Sequence, residues 1–199
     1  MAEATLFQTK LALYTSYVVA GTVARGLVPD ALWWDTDDPY GYIRLQPHGD
    51  RDLVVLGGND HKTGQEPDPE SRHRELEQRL TRLVPSIALT HRWSGQVIET
   101  PDGLPYIGRF AAHQYAATGY AGNGFTFGTL AGMLMADAIL ARPNPWTELF
   151  DPGRKALGWG LWEYVKENAD YPYYMIRDRV AGTDGRALRA VARGEGAIV

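Results

Sequence analysis

The segment GYAGNG, Gly119 to Gly124, sets three glycines in six residues between a short apolar stretch, QYAAT, and a long apolar run, FTFGTLAGMLMADAILA. Glycine enters left-handed backbone freely and carries no side chain. A glycine-rich turn between a strand and a helix therefore lets the first helical N–H groups face a neighbour closely. The helix dipole adds partial positive charge at that end. Such a helix start suits an anionic or electron-rich group, a nucleotide or a flavin among them. The same glycines also satisfy backbone geometry alone, and Gly128 and Gly132, four apart, permit close packing of one helix face.

Much else is excluded. The net charge of -4 is spread without a basic stripe, so nucleic acid is not an expected partner. The absence of cysteine removes disulfides, zinc-thiolate sites and thiol nucleophiles from these residues and fits a cytoplasmic location. The N-terminal residues lack the charged start and apolar core of a signal peptide. The run from Thr126 to Ala141 is shorter than the roughly 20 residues that cross a bilayer and contains Asp137, so no membrane association is expected.

LALYTSYVVAGTV, GYIRLQP and RDLVVLGG are rich in β-branched and aromatic residues and read as strands. The last two form a hairpin around Pro47 to Asp50, with Gly57 and Gly58 ending its second strand. In DPESRHRELEQRLTRLVP, Asp68 caps, Pro69 takes the first helical position, and Leu76, Leu80, Leu83 and Val84 make an apolar stripe that Pro85 ends. IALTHRWSGQVIE is extended again, and TPDGLPYIG reads as a loop throughout.

Among polar groups, WWDTDDPYGY does not make a calcium loop, because Pro39 and Tyr40 stand where an oxygen ligand and a glycine are needed. His48, His61, His73, His91 and His113 are dispersed without i, i+4 spacing, so no metal site is expected. His61, beside Asp60 and Lys62 at a strand end, is a candidate proton-handling residue, the other reading being a hydrogen-bonded turn histidine. Trp33, Trp34, Tyr40 and Tyr42 suit either ring stacking or a domain interface.

WSGQVIETPDGLPYIGR followed by YAATGYAGNGFTFGTLAGMLMADAILARPNPWTELFDPGRK resembles the C-terminal part of FAD-dependent oxidoreductases of the D-amino acid oxidase and glycine oxidase superfamily. DPYGYIRLQP and VVLGGNDHKTGQE resemble a bacterial branch in which this part precedes a Rieske iron-sulfur domain, so the similarity runs roughly from Thr9 to Lys155. The resemblance implies an α+β chain. A mixed or antiparallel substrate-domain sheet with flanking helices would occupy residues 1–95, a flavin-facing loop and strand-turn-helix of the FAD-binding domain residues 96–145, and a helical tail and connector residues 146–199. It also implies FAD as cofactor, with contacts from Gly119, Tyr120, Gly122, Asn123, Gly124, Phe125 and Thr126, and from the neighbouring loop through Asp102, Gly103 and Pro105. The reaction it implies is hydride removal from a C–H bond next to nitrogen or oxygen.

The sequence departs from the family in three places. No G-x-G-x-x-G with a following acidic residue is present to grip the ADP half of the dinucleotide, and G-x-x-G-x-G at Gly119 to Gly124 reverses that spacing. Val97 stands where relatives that oxidise amino acids carry an arginine for the substrate carboxylate, leaving Gln96 or Arg44 to bind a different polar group. AVARGEGAIV resembles the entry to a Rieske domain, without that cluster's ligands. These departures imply a truncated flavoprotein portion, inactive alone. The alternatives are a subunit that completes a flavin site with a separate N-terminal FAD-binding chain, and a non-enzymatic binding module. An orphaned interface further implies a homo-oligomer or another association that covers it.

Overall fold

The computed structural model describes residues 9–155, 160–180 and 188–192. It shows an α+β chain built on a five-stranded antiparallel sheet of order β2-β3-β4-β1-β5. The strands are β1 (Ala12–Ala24), β2 (Leu32–Trp34), β3 (Tyr42–His48), β4 (Arg51–Lys62) and β5 (Ala88–Glu99). β1 is the spine, pairing with β4 on one side and with β5 on the other. Helix α1 (Pro69–Leu83) starts as its sequence predicts, with Pro69 in the first turn and the Asp68 carboxylate accepting from the Ser71 N–H.

Alternation along the strands sorts side chains onto two faces. One face turns Tyr17, Val19, Val23, Val54 and Leu56 into a core closed by Leu76 and Leu80 of α1, all nearly inaccessible to water. His73 completes the buried stripe of the helix, whereas Leu83 is exposed. The opposite face carries a smaller apolar group of Val18, Ala20 and Val55 and is left open toward its β5 side.

A second, smaller unit is a two-stranded antiparallel ribbon of β6 (Tyr106–Ala111) and β7 (Gln114–Thr118), followed by helix α2 (Gly124–Ile139). Ile107, Ala131 and Leu134 form its core together with Phe150 of a short helix α3 (Thr147–Phe150). Helices α4 (Gly160–Asn168) and α5 (Tyr171–Val180) follow. The Tyr14 hydroxyl donates to Glu167 at 3.1 Å, and Lys62 Nζ meets Asp170 at 3.1 Å, fixing this tail to the end of β1 and β4.

Three sequence expectations change. β4 runs past Gly57 and Gly58 to Lys62, because a shift in register between Thr15 and Tyr17, with Asn59 at positive φ, restores its pairing to β1. The supposed loop TPDGLPYIG becomes strand from Tyr106 onward, since Tyr106 and Ile107 are buried and paired with Thr118 and Ala117. The boundary placed at residue 95 falls inside β5, which continues unbroken to Glu99. Among the described residues, β7 pairs with β6 alone, antiparallel. Most of AVARGEGAIV lies outside the described residues.

Candidate active site

The open face of the sheet and the glycine turn meet at a pair of adjoining clefts. The first, about 270 Å³, has a floor of Ser16 and Val18 from β1, Gly58 and Asp60 from β4, and Trp93, Gly95, Val97 and Glu99 from β5. Tyr40 and Tyr42 form one wall, and Ala121 and Gly122 of the turn form the rim. Tyr42 lies across Gly57, its partner in the β3–β4 ladder: a Cβ there would sit 2.3 Å from the Tyr42 ring carbon Cζ. A Cβ added to Gly122 would sit 3.6 Å from the Tyr40 hydroxyl. The second cleft, about 340 Å³, is lined by Gln96 to Ile98 and by Ala117 to Gly122 with Gly124. The two share Gln96, Val97, Ala121 and Gly122.

The turn between β7 and α2 is held by specific bonds. Gly119, Ala121 and Gly122 all have positive φ, and Ala121 is a non-glycine residue in that sparsely allowed region. Its N–H donates to the Ile98 carbonyl at 3.0 Å, which stitches the turn to β5. Gly119 packs against Thr100 so closely that a Cβ would approach the Thr100 methyl carbon to 2.3 Å. Asn123, at the N-cap of α2, gives no side-chain cap and instead donates from Nδ2 to the Ala121 carbonyl at 3.3 Å. The first turn of α2 is thus left for an outside acceptor, with glycines at 122 and 124 giving access.

These residues fit a flavin ring, whose electron-rich pyrimidine edge calls for N–H donors, a helix N-terminus and a wall without side chains. They offer nothing for its pyrophosphate. Gly119, Tyr120, Gly122 and Gly124, for which the resemblance implies flavin contacts, line the second cleft, and Asn123, Phe125 and Thr126 follow beside it at the exposed start of α2. Asp102, Gly103 and Pro105 lie behind the turn, not in either lining. The Asp102 side chain is fully enclosed. Both of its oxygens meet Arg154, at 2.8 and 3.3 Å, and one also accepts from the Leu104 N–H. Arg154 in turn donates to the Leu104 and Pro105 carbonyls, and its guanidinium lies 4.0 Å from the Tyr106 ring centre. This ion pair positions the loop on which the turn rests.

Gln96 lines both clefts. Arg44 lies opposite Val55 and so shares the cleft's face of the sheet, but it is exposed and outside the lining. His61 is on the other face. Its Nε2 is 2.8 Å from the Tyr17 hydroxyl and its Nδ1 2.7 Å from the Lys62 carbonyl, so both ring nitrogens are engaged away from the clefts. Its neighbour Asp60 takes the cleft position instead, as adjacent strand residues must face opposite ways. Sequence reasoning passed over Asp60 and Glu99. Burial pushes the Asp60 carboxyl above the ordinary range, opposed in part by a hydrogen bond from Ser16 and by His61. Glu99 is raised by partial burial first and then by Glu167, Asp60 and Asp38. The signal that could have found both was period-two alternation: Asp60 in β4, and Gly95, Val97 and Glu99 in β5.

The model of the family described as FAD dependent oxidoreductase matches residues 5–138. A putative Rieske 2Fe-2S iron-sulfur protein of Bacillus subtilis is 26% identical over 174 residues, covering 86% of this chain and 34% of that protein. The gamma-glutamylputrescine oxidoreductase of Escherichia coli is 31% identical over 121 residues, covering 59% of this chain and 27% of that one. The chain therefore spans about a third or less of the length of these relatives. The crystal structure of glycine oxidase from Geobacillus kaustophilus superposes with a TM-score of 0.60 at 21% identity, over 74% of this chain and 40% of that one, a likeness of fold. Since the family match takes in the sheet, the glycine turn and nearly all of α2, the chain belongs to the FAD dependent oxidoreductase family, in which FAD is the cofactor.

Proposed function

We propose that this chain supplies the substrate-side wall and the ring-facing turn of an FAD-dependent site that oxidises a C–H bond next to nitrogen. The observation that carries the proposal is the continuity of the two clefts through Gln96, Val97, Ala121 and Gly122. A substrate held in the sheet cleft is then in contact with a ring held against the turn. FAD, when bound, supplies the hydride acceptor; the chain's part is to hold the substrate carbon beside it and to keep the first turn of α2 against the ring's polar edge. Two similar proteins are named glycine oxidase and gamma-glutamylputrescine oxidoreductase, and both names denote nitrogen-containing compounds. The ADP half is gripped by a nucleotide-binding element other than these residues, in a partner chain or a longer polypeptide, because no G-x-G-x-x-G is present. That element, or a second copy of the chain, covers the apolar side chains exposed on α2, where Phe125 is 99% and Ile139 64% exposed.

Titration with lumiflavin and with FAD, followed by flavin fluorescence, tests this directly. Both are expected to bind weakly and with affinities within about threefold of each other, since the adenylate has nothing to grip it. Stoichiometric retention of FAD through gel filtration would overturn the assignment of the ADP half to another element. Failure of lumiflavin to bind at all would overturn the ring site.

A further inference from the structure

We infer that the sheet cleft selects an organic cation, a protonated amine held between Asp60 and Glu99 against the rings of Tyr40, Tyr42 and Trp93, and not an amino acid held by its carboxylate. The inference rests on the reading of this cleft as the substrate side of the flavin site. Among the described residues, its charged lining residues are Asp60 and Glu99 alone, and no lysine, arginine or histidine contributes to the lining. A carboxylate ligand would meet like charge on the floor and no cation to offset it. The Arg44 guanidinium shares that face of the sheet but is exposed and outside the lining, and Lys62 is committed to Glu167 and Asp170. Val97, in the lining, presents only methyl groups.

Asp60 is the more enclosed of the two carboxylates. Its Oδ1 is closed off from solvent and has no hydrogen-bond partner, although an acceptor so placed ordinarily has one. Glu99 stands in a field of Asp60, Asp38 and Glu167, all of which raise its proton affinity, so a positive charge brought beside it relieves repulsion on several sides. Glu99 keeps much of its surface in solvent, which makes Asp60 the stronger anchor. The aromatic walls add ring faces, which attract ammonium groups and reject carboxylates. Two glycines make room: Gly95 opens the floor of β5, and Gly57 allows the Tyr42 ring to lie across β4.

Benzylammonium and benzoate, similar in size and opposite in charge, provide the test, read as shifts of the Trp93 indole N–H resonance in the purified chain at neutral pH. Benzylammonium is expected to shift it saturably and benzoate not at all. Asp60→Asn should weaken benzylammonium binding by about tenfold, and Glu99→Gln by less. Equal or tighter binding of benzoate would overturn the inference, as would unchanged benzylammonium affinity in Asp60→Asn. The contrast between the two probes needs no variant, so it stands even if a substitution unfolds the chain. Neither probe requires flavin. Loss of the amine preference with lumiflavin binding intact would sink the cation reading alone, whereas loss of both would sink the flavin-site reading as well.

Discussion

The two faces of the five-stranded sheet are made by alternate residues of the same strands, yet they are built for opposite ends. Tyr17, Val19, Val54 and Leu56 face α1 and are packed into a core that water does not reach. Ser16, Asp60, Gly95 and Glu99 face the other way and leave a cleft. The packed face holds the strands in place by burial of apolar area, worth roughly 2 kcal/mol for a side chain such as Leu80. The open face gives up that term, and in Asp60 it keeps a buried polar atom without a partner. A single sheet thus separates stability from ligand chemistry by side-chain parity, and a residue's neighbour in sequence is the one least able to share its role.

The sharpest way to test that division is to damage one face and read the other. Leu80→Ala empties the most enclosed position of α1 and should lower unfolding free energy by about 3 kcal/mol in urea titrations while leaving benzylammonium affinity unchanged in the folded fraction. Gly57→Ala acts on the open face. The added carbon collides with the Tyr42 ring, so a cost of about 2 kcal/mol and a marked loss of amine binding should appear together. His61→Ala is the intermediate case. It removes the partner of the Tyr17 hydroxyl and should cost about 1 kcal/mol, with lumiflavin and amine affinity unmoved. A fall in either affinity would bring the histidine back into the site and break the comparison.

Much of this was legible in the sequence because local chemistry wrote it. Asp68, Pro69 and the leucines of α1 mark a helix with a definite start and buried stripe. The glycines at 119, 122 and 124 mark a turn whose place beside a cleft follows from their lack of side chains. What escaped depended on long-range pairing. That β4 continues past two glycines is decided by a register shift against β1, 40 residues and more away in sequence. For Asp102 the resemblance implies a place beside the flavin, and what local sequence does not reveal is that its carboxylate is held by Arg154, 52 residues on. His61 and Asp60 stand side by side at a strand end, and only the parity of the sheet shows that the histidine is the hydrogen-bonded one of its two readings while Asp60 faces the cleft.

Asp60→Asn gives the smallest expected change and the most diagnostic one, because its sign is opposite to the rest. Burial raises the Asp60 carboxyl in the folded chain above its ordinary value of 3.8. The folded state therefore keeps that proton at pH values where the unfolded chain has released it. The group's contribution to stability is complete below the ordinary value and is lost as pH rises through the raised one, so at neutral pH the ionised carboxylate is a net cost. Removing the charge should stabilise the free chain at pH 7 by less than about 1 kcal/mol, because Asp60 is only half-buried and solvent screens its carboxylate. The gain should shrink as pH falls through the window between the two values, until wild type and variant converge. Adding benzylammonium should reverse the order, because the cation binds about tenfold more tightly to the chain that has kept its carboxylate and so stabilises it more. If thermal melts across that pH range instead show Asp60→Asn less stable at every pH, the open face is holding the fold together and the division between the two faces fails.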